Sequence, residues 1–317
     1  MISIAGNVAL QNVLATLEIE RKKISSTQKK GYLFIAIGII VALSGFALGL
    51  PVPEAIAGLA PLIYGGIILY KISDELKAYK EAFKVNVIGS ALKSLDSSLL
   101  IEPDKGIPDY EFEQTQIFSQ TPDRYKTEDL VSGNAGKTTF YFAEVHAAYK
   151  TEVQTKNGTR TEWHDIFRGI LFCADFNKNF VGVTIVKPKD LLGTMGAWFS
   201  KNLFSFNDKD IISLENTEFS KTFITHATDQ VEARYILTPA MMERILNLNR
   251  NTKSSVSLSF INSRMYIAFP LSRNYFEAPV FKTLLNPELL NEDITVINFM
   301  YEIVNELDLN TRIWGKN

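Results

Sequence analysis

The sequence predicts an α+β protein. An N-terminal two-helix transmembrane hairpin with flanking amphipathic helices leads into a cytosolic, mainly antiparallel sheet with a few helices. Three observations carry this prediction. Residues 31–53 and 55–70 hold no charged side chain. Lysine and arginine crowd the outer flanks of these runs and are absent between them. From about residue 104 the pattern changes to β-branched and aromatic stretches punctuated by turn residues.

The elements follow in chain order. Leu10, Val13, Leu14 and Leu17 recur at helical spacing, predicting an amphipathic helix over 3–23. The twenty residues 31–50 would span about 30 Å, the thickness of a hydrocarbon core. A second, shorter span is expected over 54–71, with Pro61 inside it. Arg21, Lys22, Lys23, Lys29 and Lys30 precede the first span, and Lys71, Lys77, Lys80 and Lys84 follow the second. Positive charge stays on the cytoplasmic side, so both termini are expected there, in a bacterial inner membrane, with only the Pro51–Pro53 turn across it. Gly45 and Gly49 form a GxxxG suited to close helix packing in lipid. Leu76, Tyr79, Phe83 and Val87, then Ile88, Leu92, Leu95 and Leu99, predict a helix over 73–99 that packs beside the first. Residues 1–103 are thus read as the membrane anchor and 104–317 as one cytosolic domain.

Within 104–317, residues 138–153 read as a strand, turned at Lys156-Asn157-Gly158-Thr159 into a return strand over 163–176. Further strands are expected over 181–186, 254–260 and 265–269, the last two forming a hairpin around Asn262-Ser263. Thr238-Pro239 opens a helix to Leu248, and 295–307 forms another. Arg168 (IFRGILF) and Arg234 (EARYILT) are isolated charges in stretches that read as strand, which assigns them to ion pairs or carbonyl contacts.

The chemistry is sparse. Thirty-three Lys+Arg against thirty-five Asp+Glu leave a net charge of −2, which argues against nucleic acid as a partner. The single cysteine, Cys173, forbids an intramolecular disulfide and lies in an apolar strand, where a thiol is normally buried and inert. Gly133-Asn134-Ala135-Gly136-Lys137-Thr138 ends like a phosphate-binding loop, but Val131 stands where the first glycine is required and a strand follows instead of a helix. Glu144 and His146 share one strand face, while His164 and His226 lie on other elements, so no metal cage is expected and no cofactor is assigned. These features favour a membrane-anchored interaction or scaffold module. The alternative is a membrane-associated hydrolase using Asp129, Glu144, His146 or Asp229. The expected partners are the lipid bilayer and a protein in the membrane or cytoplasm, with a homo-oligomer also compatible.

Several strings resemble a bacterial family, the domain of unknown function 3137. They are Tyr125-x-x-Glu128-Asp129 leading to Gly133, Phe142-Ala143-Glu144-Val145, Phe167-Arg168-Gly169, Glu218-Phe219 with Phe223, and Asp229 through Pro239 into Met241-Met242-Glu243-Arg244. With the hairpin, the similarity covers roughly residues 10–310. The resemblance implies a membrane-anchored protein without an assigned activity and carries over no catalytic residue. It also implies LemA-type membrane proteins as neighbours.

Overall fold

The computed structural model describes residues 8–47, 58–155, 158–176, 178–189, 210–252, 255–286, 288–307 and 309. The chain forms two compact units, one of Met1–Ala91 with Phe276–Ile294 and one of Leu92–Tyr275 with Thr295–Asn317.

The first unit is helical. The expected helix over 3–23 and span over 31–50 are one continuous helix, α1 (Val8–Ala47), 40 residues long. Nothing between them breaks it, because Ile24 to Lys30 contains neither glycine nor proline. Helix α2 (Leu59–Lys71) covers only the later part of the second expected span. Pro61 falls in its first turn, where a missing N–H costs no intrahelical bond. Among the described residues no helix is long and apolar enough to cross a membrane. The hairpin of transmembrane spans at 31–50 and 54–71 is therefore not supported as drawn. The thirteen residues of α2 reach about 20 Å, and the apolar part of α1 begins only at Gly31. Residues 48–57, the expected turn, lie outside the described residues.

Helices α1 and α2 pack antiparallel through glycines. A Cβ on Gly38 would lie 2.5 Å from Leu62 Cγ and 2.7 Å from the carbonyl of Gly58; one on Gly65 would lie 2.7 Å from the carbonyl of Gly31. Phe34 and Tyr64 meet edge to face at 4.8 Å. Gly49 of the expected GxxxG lies outside the described residues. The close approach runs instead through Gly31 and Gly38 against Gly65 and Gly58, seven residues apart on each helix.

Below Gly31, α1 packs on helix α3 (Ser73–Phe83) and the π-helical turn Lys84–Ile88 that continues it. Leu10, Leu14, Leu17 and Ile24 of α1, and Tyr79, Phe83, Val87 and Ile88 opposite, are buried. A strap from Phe276 to Leu284 closes this end. Arg21, one of the basic residues that precede the first expected span, is buried with Glu18. Its Nε donates to Glu18 Oε2 at 2.8 Å and its Nη1 to the carbonyl of Val280 at 2.7 Å. Glu18 also accepts the Leu284 amide at 2.9 Å and the Thr283 hydroxyl at 3.1 Å. The guanidinium bonds hold the Glu18 carboxyl down at about 2, against the opposing effect of burial. Lys80 and Lys84 pair with Glu277 of the strap at 2.9 and 3.3 Å.

After α4 (Gly89–Leu95) the chain turns at Asp96, whose Oδ1 accepts the Ser98 amide at 2.8 Å. The helix expected to Leu99 therefore ends at Leu95, because Asp-Ser-Ser favours a turn. The second unit is built on an antiparallel sheet of β1 (Leu100–Glu102), β2 (Arg124–Ala135), β3 (Thr138–Thr155), β4 (Gly158–Asp175), β5 (Thr184–Pro188), β6 (Phe223–Ala227), β7 (Ser257–Ile261) and β8 (Arg264–Pro270). Their order is β1-β2-β3-β4-β8-β7-β5-β6. The mixed α+β class and the large antiparallel sheet stand as expected.

The phosphate-loop-like string is a β-hairpin. Ala135 pairs with Thr138, leaving Gly136 and Lys137 as a two-residue turn, with Gly136 at φ 63°. On one face of the sheet, Phe112 of α5 (Asp109–Gln114) packs with Val145, Phe167 and Leu171. Elsewhere Phe140 meets Tyr301, and Phe269 meets Phe299, of helix α9 (Glu288–Glu306). The central part of β4 is buried from Gly169 to Ala174, which explains its unbroken apolar run. Cys173 is buried there, and burial pushes its thiol up to about 12, as suits an inert core residue. The stretch EARYILT, read as strand, is helical: after α6 (Thr217–Thr222), α7 (Gln230–Ile236) precedes α8 (Pro239–Asn251). Its apolar residues Ala233, Ile236 and Leu237 are buried at helical spacing, while Arg234 is exposed and, among the described residues, donates only to its own turn, to the Gln230 carbonyl at 3.3 Å.

Candidate functional site

Strand register builds a polar cleft in the second unit. Lys126 on β2 stands opposite His146 on β3, which stands opposite Arg168 on β4. Two residues along β2 and β3, Glu128 is paired with Glu144. Alternation puts all five side chains on one face. The chain leaving β8 supplies the far wall with Leu271, Arg273 and Asn274, and the cleft encloses about 290 Å³.

Gly169 is what allows the chain after β8 to lie so close. A Cβ there would sit 2.0 Å from the Phe269 carbonyl and 2.9 Å from the Leu271 amide, and its φ is +156°. The Leu271 amide donates to the Arg168 carbonyl at 3.0 Å. The Phe-Arg-Gly string therefore buries Phe167, presents Arg168 to the cleft and leaves room for a crossing backbone at Gly169.

Two carboxylates directly across a strand pair repel one another, and the surrounding donors offset this. Lys126 Nζ lies 2.9 Å from Glu128 Oε1, and Asn274 Nδ2 donates to the same oxygen at 3.2 Å. Glu144, nearly buried, accepts the Tyr275 amide. Arg168 Nη2 donates to Asn274 Oδ1 at 3.0 Å, so Asn274 bridges an anion and a cation. His146 Nε2 lies 2.8 Å from Asp165 Oδ1 at the exposed edge. The guanidinium of Arg273 lies 4.6 Å from the ring centre of Tyr275.

Of the four residues singled out for catalysis, Glu144 and His146 thus share the cleft, and Asp129 and Asp229 do not line it. Asp129 sits at a β-bulge after Glu128, fully buried with φ 60°, its amide donating to the Pro103 carbonyl at 3.1 Å. Asp229 caps α7, its Oδ1 accepting the amides of Val231 and Glu232 at 2.9 and 3.0 Å. That is a structural position, set by the helix's unsatisfied first N–H groups. Glu232, three residues on, is buried and receives the Val181 and Gly182 amides at 3.1 and 2.8 Å. Sequence reasoning missed Lys126, Arg273 and Asn274. The alternating charges of Lys126 and Glu128 were a signal on β2, whereas nothing local marks the segment after β8.

Residues 165–309 match the family described as "Protein of unknown function (DUF3137)". The match takes in Arg168, Gly169, Leu271, Arg273 and Asn274 of the cleft, while Lys126, Glu128, Glu144 and His146 precede it. No curated protein matches the chain. Among solved structures, the crystal structure of the mycobacterial trehalose monomycolate transport factor A, TtfA, is similar over 72% of this chain and 94% of that chain, at 8% identity and a TM-score of 0.35.

Proposed function

We propose that this chain, a member of the family of unknown function 3137, is a membrane-anchored interaction module. Its α1–α2 hairpin embeds in a lipid bilayer and its sheet unit serves protein partners. One observation carries the anchoring: above Gly31 the hairpin is apolar on the outside. Leu33, Ile37, Ile40 and Leu43 of α1 and Leu59, Ile63, Ile67 and Tyr70 of α2 are all more than 40% exposed. Their spacing of three or four residues makes continuous stripes on both helices. Water-soluble surfaces rarely carry apolar patches of this extent, whereas lipid-facing helices pack through small residues and turn large apolar ones outward. In this reading a LemA-type membrane protein is the partner implied by the family resemblance.

Flotation of the full chain with liposomes tests the anchoring. The intact chain should rise with the vesicles and resist extraction by high salt and alkaline carbonate. The double substitution Ile40→Lys, Leu43→Lys should release it. A chain that stays in the aqueous fraction without detergent overturns the reading.

A further inference from the structure

The geometry points to the cleft on β2, β3 and β4 as a binding site for a small oxyanion, a phosphate or carboxylate group, gripped by Arg168 with Arg273 and Lys126. Three cations and two carboxylates line it, and their engagement is unequal. Glu128 is occupied by Lys126 and Asn274, and Glu144 by the Tyr275 amide. Arg168 is exposed, and among the described residues a single N–H of its five-donor fork is engaged, on Asn274. A planar guanidinium with open donors matches an oxyanion bidentately, and such charge-assisted pairs are stronger than neutral ones.

The surroundings hold that fork in place. The Arg168 backbone is fixed between β3 and the Leu271 amide, and its Nη2 is fixed by Asn274, which in turn is tied to Glu128. The face of Tyr275 positions Arg273 on the opposite wall. His146 stands between Lys126 and Arg168 in register. The volume of about 290 Å³ lies at the small end of ligand sites, which suits a small acid, a phosphomonoester or a headgroup. The inference is independent of the lipid reading of the hairpin, since every residue it uses belongs to the sheet unit.

The test uses the full chain in nanodiscs of zwitterionic lipid, titrated with inorganic phosphate, acetate and glycerol 3-phosphate while tryptophan fluorescence and thermal unfolding are followed. In a parallel arm the nanodiscs contain phosphatidylglycerol. A saturable response to a soluble probe, weakened roughly tenfold or more in Arg168→Gln and unchanged in Arg234→Gln, supports a free oxyanion ligand. A response confined to phosphatidylglycerol discs and lost in Arg168→Gln supports the same chemistry supplied by a headgroup. Should Arg168→Gln fail to fold, Arg273→Gln takes its place with the same expected weakening. No saturable response in any arm, or one that survives both substitutions, overturns the proposal.

Discussion

The two halves of α1 obey opposite rules within one unbroken helix. From Leu10 to Ile24 it buries Leu10, Leu14, Leu17 and Ile24 and turns Gln11, Asn12, Glu20 and Lys22 to solvent, with Ile19 the one large apolar residue left exposed among them. From Gly31 to Leu43 it buries glycine against α2 and turns leucine and isoleucine outward. The lower half excludes water from its core, as the hydrophobic effect requires in an aqueous surrounding. The upper half saves its close contacts for backbone approach, the arrangement that pays where the surrounding medium is itself apolar. The contrast falls at about Lys30, where the exposed side chains of the helix change from polar and charged to apolar.

Breaking the lower half should have the largest effect. Glu18→Ala leaves the buried Arg21 guanidinium without its counter-charge, an expected cost of about 3–5 kcal/mol, measurable by chemical denaturation of the purified chain in detergent. The same pair sets a pH dependence. Glu18 has a folded pKa of about 2 against a usual 4.5, so its contribution is complete above about pH 4.5 and is lost as pH falls toward 2. In the wild-type chain stability should decline through that window, and in Glu18→Gln the decline should be shallower. An unchanged slope would show that Glu18 is not the group responsible.

The upper half is sharpened by a pair of glycines. Gly38→Ala forces a methyl group against Leu62 and the Gly58 carbonyl, with an expected cost of about 1–3 kcal/mol from overpacking. Gly66→Ala meets nothing within 4 Å, so it should be neutral or stabilising by up to about 1 kcal/mol, through the better helix propensity of alanine. Equal melting temperatures for the two variants would mean that the hairpin does not close on Gly38. The smallest effect is expected outside both halves, at Arg234→Ala. Its side chain is exposed and, among the described residues, bonded only within its own turn, so stability should stay within about 0.5 kcal/mol.

Much of the second unit was legible from local pattern. The long strands β3 and β4, the β7–β8 hairpin around Asn262 and the Thr238-Pro239 start of α8 all follow from alternation, turn residues and capping, which operate over a few neighbours. EARYILT misled because Ala233, Ile236 and Leu237 satisfy a helical face as readily as a strand; an Asp229 cap ahead of it was the available signal. The cleft was half legible: Glu144 and His146 share a strand face by simple alternation. Their alignment with Lys126 and Arg168 depends on register across three strands, and Asn274 arrives from beyond β8.

By itself the sequence determined the α+β class, the apolar hairpin and most strand identities, because each depends on periodicity and composition within a short window. Tertiary structure alone decided that Arg21 is buried, that Phe276–Ile294 returns to the helical unit, and that three cations converge on one cleft. Those outcomes join residues up to 266 positions apart, as in the Glu18–Leu284 bond. Partners at such separation are chosen by which surfaces exclude water together and which buried charges find donors, and no local pattern encodes that choice.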